Sequence, residues 1–312
     1  MKRGISKMIA KRITRGVLAA ALLSVLLAAT RAVAQQSSGS AAVGDRNGPL
    51  HGQYYVKPFK IIGNIYFVGF SNNAAYLITT PQGHFLIDAV YEDINAQQVK
   101  NIEDLGFKIK DVKYLLNAHA HSDHVNGLAG MKKLTGATVV AMVEEVKSLE
   151  DGGVSDFRSD GRKLWEPVKV DKIIKEGEQL TIGSTTLTAR KTAGHTQGCS
   201  TFTMMVDDAG KKRQAIFICS MGLNGGVPLV NYSKYPNIAE DYMRSFDILR
   251  SIPAEVFLVS HTSHYDLEGK LKKMGQPGPN PFIDPQGYKD YIVRFEKGFK
   301  EQYAKDLAAA KK

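Results

Sequence analysis

Three histidines and one aspartate lie within six residues of this chain: His119, His121, Asp123 and His124. They directly follow the apolar run 112–116, which predicts a short buried strand. Because His119 and His121 are two residues apart, an extended segment points both to one side, while Asp123 and His124 turn with the chain. Neutral imidazoles and carboxylates are good ligands for zinc and similar metals. This density of ligands predicts a metal centre, and the segment is long enough to supply two metal positions.

Two more histidines also follow predicted strands. His195 lies in the turn Thr192–Gly198 after a predicted strand over 186–191, and His261 follows the apolar run 256–259. A hydrogen-bonded core histidine is the alternative for each of them taken alone. The cluster at 119–124 favours a role as metal ligands for both. His264 is a rival to His261, which we prefer because it comes almost directly after its strand.

The elements that must position these residues alternate along the chain. Hairpin signals at Gly63-Asn64 and 81–83 predict an antiparallel start, after which strands alternate with helices. Near the end, Asp284 and Pro285 predict a helix start, and the aromatic residues that follow have helical spacing. Residues 55–312 are thus expected to form one α/β domain with two mixed sheets and outer helices.

The N-terminus has the pattern of an export signal. Residues 1–16 are basic, 17–29 form an apolar run interrupted by one serine, and Ala32-Val33-Ala34 is a small-residue cleavage site. The run is too short for a confident membrane span. We therefore expect a signal peptide over 1–34 cleaved after Ala34, a periplasmic protein with no stable membrane anchor, and a flexible leader over 35–54 rich in Ser, Gly and Ala.

Cleavage also changes what the net charge implies. It would remove seven basic residues and no acidic one, so the formal net charge would fall from +10 to +3. Nucleic-acid binding is therefore not expected. The two cysteines, Cys199 and Cys219, are too few for a disulfide scaffold or a cysteine-rich zinc finger. They need not pair. For Cys219 we expect a buried structural thiol, with metal ligation as the alternative.

The order His-x-His-x-Asp-His, Gly-His-Thr and a late strand followed by His resembles the metallo-β-lactamase superfamily. The resemblance implies a four-layer αβ/βα sandwich, with two mixed sheets and a dinuclear metal site at one edge. Glyoxalase II, lactonases and related nucleases of that superfamily carry a bridging Asp after the strand that corresponds to 216–219. Here the strand is followed by Ser220, Met221 and Gly222, as expected of a β-lactamase. His124 at the end of the first motif is similar to the third subclass of the zinc β-lactamases.

The resemblance further implies two Zn²⁺ ions, a small β-lactam substrate and a role for each site residue. The implied ligands of the first zinc are His119, His121 and His195, and those of the second are Asp123, His124 and His261. The resemblance also implies that Asp123 orients the attacking water and that Ser220 and Met221 line the substrate pocket. Asp88 is expected to accept a hydrogen bond from a ligand histidine. The alternatives are another exported dimetal hydrolase, such as a lactonase or thioesterase, and a non-catalytic zinc-binding protein.

Overall fold

Short runs rich in β-branched and aromatic residues form the strands of two sheets. The computed structural model describes residues 52–311, so the predicted signal peptide and most of the predicted leader lie outside the described residues. The strands are β1 Phe59–Ile62, β2 Ile65–Phe67, β3 Tyr76–Thr80, β4 Gly83–Ile87, β5 Val112–Leu116, β6 Thr138–Met142, β7 Lys172–Ile174, β8 Gln179–Ile182, β9 Thr185–Lys191, β10 Ser200–Asp208, β11 Lys211–Ile218 and β12 Val256–Val259.

Both sheets are mixed. The first has seven strands in the order β1 to β7; β1 to β4 pair antiparallel, and β4 to β7 pair parallel. The second has five strands in the order β12-β11-β10-β9-β8, and within it only β11 and β12 pair parallel. The predicted antiparallel start is confirmed, and its first turn contains Gly63 at a φ of 54°.

The helices follow the predicted alternation with strands. They are α1 Asn95–Asp104, α2 Ser122–Val125, α3 Leu128–Thr135, α4 Val146–Asp151, α5 Ile238–Ser251, α6 Leu267–Lys273 and α7 Pro285–Ala310, with short 3₁₀ turns at Glu92–Ile94, Ile109–Asp111, Val143–Glu145 and Thr262–Tyr265. At the start of α7 the Asp284 carboxylate accepts a hydrogen bond from the Gly287 N–H at 2.8 Å, which confirms the predicted cap. Among the described residues, no helix has the length and apolar character that crossing a bilayer requires.

The sheets pack face to face between two layers of helices. Tyr76 of the first sheet and Phe217 of the second are in ring contact at 5.3 Å, inside a core that both sheets share. Helix α7 covers the outer face of the second sheet, where Tyr291 contacts Phe257 at 5.5 Å. Helices α1 and α3 cover the outer face of the first sheet. The described residues therefore confirm the four-layer αβ/βα sandwich.

The two sheets meet at one edge of the sandwich. In the first sheet the parallel strands β4, β5 and β6 end at this edge. In the second sheet β9, β11 and β12 run in one direction and also end there. An isolated bridge between Asn73 and His261 connects the two sides. Gln53, within the predicted leader, also takes part, since its side-chain oxygen accepts the Asn73 N–H at 2.9 Å. This edge gathers segments that are far apart in the sequence.

Candidate metal centre

One cluster of three imidazoles lies at this edge. His119 and His121 come from the loop after β5, and His195 comes from the loop after β9 in the other sheet. All three are buried, and their ring centroids are 4.5–4.6 Å apart. One ring nitrogen from each lies within 4.8 Å of the others. Three histidines that converge in this way can hold one divalent metal ion.

The hydrogen bonds of these rings fit a metal ion. Neither ring nitrogen of His119 has a hydrogen-bond partner, and Nε2 of His121 has none, although all are buried. Buried polar atoms are rarely left without partners, so one such nitrogen on each of these two rings is available to a metal ion. Nδ1 of His195 donates to the Gly222 carbonyl at 2.7 Å, which leaves Nε2 free of that bond and able to bind a metal.

A second cluster adjoins the first. Asp123 Oδ2 is 3.3 Å from His124 Nε2 and 3.7 Å from His261 Nε2, and the two ring nitrogens are 3.3 Å apart. Ligand atoms about 2.0–2.1 Å from a tetrahedral zinc ion are roughly 3.3–3.4 Å from each other. Two of the three distances in this trio match that spacing, and the distance from Asp123 to His261 is slightly longer, so the trio can converge on one ion. The His119 ring is 4.2 Å from that of His124, so the clusters are in contact.

Two polar side chains make hydrogen bonds to residues of the second cluster. Asp88, directly after β4, has Oδ2 at 2.8 Å from His124 Nδ1, and its Oδ1 accepts the Ala118 N–H at 2.7 Å. Asn73 donates from Nδ2 to Asp123 Oδ2 at 2.9 Å. Asp88 is thus placed where the resemblance put it, against a histidine of the candidate site. Asn73 has no sequence signal beyond its polarity.

Electrostatics keep most of these rings neutral, as metal ligation requires. Burial lowers the pKa of His119 and His121 well below the usual value, and lowers the pKa of His195 to about 4 and of His261 to about 3. His124 differs: although burial lowers its pKa, the carboxylates of Asp123 and Asp88 raise it to about 10. A metal ion at the second cluster must therefore displace a proton from His124.

The Asp123 carboxylate stays ionised beside these rings. Burial alone would raise its pKa, but His124, His261 and the Asn73 amide lower that pKa well below the usual range. The second cluster thus combines a fixed negative charge with two imidazoles. That combination favours a divalent cation.

The cysteines differ from the expectation of a free thiol. Cys199 and Cys219 form a disulfide, fully buried beside Ala118. The loop that carries His195 ends at Cys199, and Cys219 directly follows β11, so the antiparallel strands β9, β10 and β11 bring the two residues together. The prediction of a buried structural thiol at Cys219 is therefore wrong in the oxidised protein, and a bonded sulfur is not a thiolate ligand.

Ser220 and Met221 do not line an open pocket. Ser220 is 1 % exposed and its hydroxyl accepts the Gly222 N–H at 3.2 Å, while Met221 is fully buried in the core shared by the sheets. The Met221 N–H donates to the Tyr291 hydroxyl of α7 at 2.9 Å. Both side chains are thus buried in this structure, and their contact with substrate stays a prediction.

The His264 ring lies between the second cluster and helix α7, at 5.3 Å from the ring of His261 and 4.8 Å from that of Phe295. Burial lowers the pKa of His264 to about 4. Among the described residues, the groups with metal-binding spacing contain His261 and not His264.

Two further residues near the site, Asn224 and Glu145, were not predicted from the sequence. Asn224 donates to the His195 carbonyl at 2.8 Å and accepts from Arg158 Nη1 at 3.2 Å, so it connects the loop 151–163 with the site. Glu145 bonds to both histidine loops from the 3₁₀ turn after β6. Their signals are weak because Asn and Glu are common surface residues.

Known proteins are similar to this chain over most of its length. The metallo-β-lactamase FEZ-1 of Legionella gormanii is 41% identical over 80% of this chain and 96% of its own, with a TM-score of 0.78. BJP-1 of Bradyrhizobium japonicum, a subclass B3 metallo-β-lactamase, is 38% identical over 81% of this chain and 96% of its own, with a TM-score of 0.76. A hydroxyacylglutathione hydrolase of Methylococcus capsulatus is 28% identical over 66% of this chain and 68% of its own.

The match to a family model covers all six candidate metal ligands. The model described as the metallo-β-lactamase superfamily matches residues 68–261, which include both histidine clusters and the strands that end beside them. Together with the fold and the convergent ligands, this match shows that the chain belongs to the metallo-β-lactamase superfamily and is a hydrolase of that family.

Proposed function

We propose that this protein is an exported, zinc-dependent β-lactamase that hydrolyses the lactam amide of penicillins, cephalosporins and carbapenems and so gives antibiotic resistance. The observation that carries the proposal is that β11 is followed by no acidic residue that could bridge the two adjoining clusters. The sequence has no Asp or Glu between Asp208 and Glu240. The superfamily's thioester and lactone hydrolases carry an Asp at this position, and its β-lactamases lack it.

Each cluster has a distinct task in this proposal. His119, His121 and His195 would hold one zinc ion, and Asp123, His124 and His261 the other. When bound, paired zinc ions lower the pKa of water toward 7 and polarise a carbonyl oxygen. The ionised Asp123 carboxylate, held by Asn73, would accept a hydrogen bond from the attacking water and so orient it toward the lactam carbonyl.

The loop over 151–163 supplies positive charge beside the site. Arg158 donates to Asn224, which in turn donates to the His195 carbonyl, and the charge of Arg158 helps lower the pKa of His121 and His195. β-Lactams carry a carboxylate. We infer that Arg158 attracts this carboxylate, so Arg158→Gln should raise KM with little change in kcat.

Turnover of a penicillin and a carbapenem by zinc-loaded protein tests the proposal directly. We expect hydrolysis of both, loss of activity when a chelator removes the metal, and recovery when zinc is returned. The matched control is the His119→Ala variant, which lacks the histidine that both clusters contact. Protein that holds two metal ions and leaves both drugs intact contradicts the proposal.

The match to a hydroxyacylglutathione hydrolase favours one second candidate, a dimetal hydrolase that acts on a thioester or lactone. The same zinc-loaded sample separates the two. Faster turnover of a thioester or lactone panel than of either drug supports this candidate. A sample that binds zinc and hydrolyses nothing supports a non-catalytic zinc-binding protein.

Export is a separate part of the proposal. The basic, apolar and small-residue segments of 1–34 favour it, and a buried disulfide is typical of proteins from oxidising compartments such as the periplasm. N-terminal sequencing of protein from a periplasmic fraction should begin at Gln35. Full-length protein confined to the cytoplasm would contradict export without affecting the enzymatic proposal.

A further inference from the structure

Glu145 is a buried carboxylate that has no place in the proposed chemistry. It is 2 % exposed and ends the 3₁₀ turn Val143–Glu145, directly after β6. Its hydrogen-bond partners are three neutral donors: the Ala120 N–H, the Thr196 hydroxyl and the Gly198 N–H, at 2.7, 2.6 and 2.7 Å. A buried carboxylate is costly, so three charge-assisted bonds at one residue indicate a specific task.

The positions of these donors define that task. Ala120 lies between His119 and His121, and Thr196 directly follows His195. The first loop extends from the seven-stranded sheet and the second from the five-stranded sheet. Oε2 binds the first loop and Oε1 binds the second, so a single side chain spans the gap between them.

Gly198 shows how closely the second loop approaches Glu145. A Cβ atom built on Gly198 would lie 2.5 Å from Glu145 Cγ, a distance that real Cβ contacts do not reach. Only glycine lets the backbone of this loop come near enough for its N–H to bond to the carboxylate.

We propose that Glu145 is a positioning residue of the first metal site, because its carboxylate ties the loop of His119 and His121 to the loop of His195 so that the three imidazoles converge before a metal binds. The carboxylate also adds negative charge near that site, which a bound divalent cation partly neutralises. The inference rests on the metal-binding part of the proposed function and not on the identity of the substrate.

Zinc affinity is the readout that separates positioning from simple structural support. We would measure it on the full chain by competition with a chromophoric chelator, and record the absorption spectrum of Co²⁺ in the same site. Removing an outer partner of metal ligands typically weakens metal binding by about 10–100-fold. We expect a loss in this range for Glu145→Ala at the tighter site, with an altered Co²⁺ spectrum.

Glu145→Gln should lose less affinity than Glu145→Ala. The Gln carbonyl can still accept from Thr196 and Gly198, whereas its amide faces the Ala120 N–H and cannot accept from it. Thr196→Val removes only the hydroxyl donor and should weaken zinc binding in the same direction. The double variant Glu145→Gln/Thr196→Val should lose less zinc affinity than the product of the two single fold-losses. The reason is that both substitutions disrupt the same hydrogen-bond network.

Glu144→Gln is the matched control. Glu144 neighbours Glu145 in the same turn, but it is exposed and pairs with Lys191 on the surface. Its variant should bind zinc as the wild type does. Equal zinc affinity and an unchanged Co²⁺ spectrum in folded Glu145→Gln and Thr196→Val, or an equal loss in Glu144→Gln, would overturn the inference. A wild type that binds two metal ions but spares β-lactams would refute only the proposed substrate.

Discussion

Opening the disulfide between Cys199 and Cys219 should destabilise the metal-free protein by about 3 kcal/mol. The two residues are 20 positions apart. In the chain-entropy model, a crosslink of that span removes about 11 cal/mol/K from the unfolded ensemble, or roughly 3 kcal/mol at 25 °C. Domains are typically stable by only about 5–15 kcal/mol, so this is a large share of the total.

Urea unfolding of oxidised and reduced wild type measures the difference. Trp165, the only tryptophan of the sequence, is 3 % exposed, and its fluorescence reports the loss of the buried environment. The reduced sample is refolded from denaturant with reductant, because both sulfur atoms are buried. Metal is removed first, since ligand binding to the native state adds its own stabilisation.

Reduced wild type is the better comparison because it keeps both sulfur atoms. The double variant Cys199→Ala/Cys219→Ala should lose more stability, since it also leaves a cavity beside Ala118. A crosslink that acts through the unfolded chain leaves the native site intact, so zinc affinity of folded, reduced protein should match that of oxidised protein. Equal unfolding free energies for oxidised and reduced wild type would refute the reasoning.

Three further changes probe the site. Asp123→Ala should reduce bound metal from two ions to one, measured by metal analysis after dialysis; retention of two ions would contradict the assignment of the second cluster. Gly194→Ala should destabilise the protein and weaken zinc binding, because Gly194 has a φ of 132° and a Cβ there would lie 2.6 Å from the Tyr242 ring; unchanged unfolding and metal affinity would refute this. Metal-free protein should lose stability on acidification from pH 7 to 5, because burial lowers the pKa of His195 to about 4 while the unfolded ring protonates near 6.5. That ring alone accounts for about 2 kcal/mol, so His195→Gln should flatten the pH dependence in urea unfolding, and an equal slope would contradict the prediction.

The ligand residues could be predicted because strand ends and residue types coincide. His119 and His195 each follow a strand whose pattern is visible in the sequence, β5 over Val112–Leu116 and β9 over Thr185–Lys191. Metal ligation also restricts a position to a few residue types, and these are conspicuous when they cluster. The helix start at Asp284 could be predicted for a similar reason, since capping restricts residue type.

Other features depend on contacts that no local pattern encodes. Strand β10 was not predicted because residues 200–204 are buried throughout, and no alternation of buried and exposed positions marks the strand. Met221 is buried in a core that both sheets share, and its backbone N–H donates to Tyr291, 70 residues later. The pairing of the cysteines depends on the register of β9, β10 and β11 rather than on their spacing.

The residues that hold the ligands are harder to predict than the ligands themselves. A hydrogen bond to a ligand can come from a carboxylate, an amide or the backbone: Asp88 contacts His124, Asn73 contacts Asp123, and the Gly222 carbonyl contacts His195. Because a backbone carbonyl exists at every residue, the last of these has no sequence signature. Metal sites are therefore visible in a sequence through their ligands, whereas the geometry that sets their affinity becomes visible only once the fold has brought distant segments together.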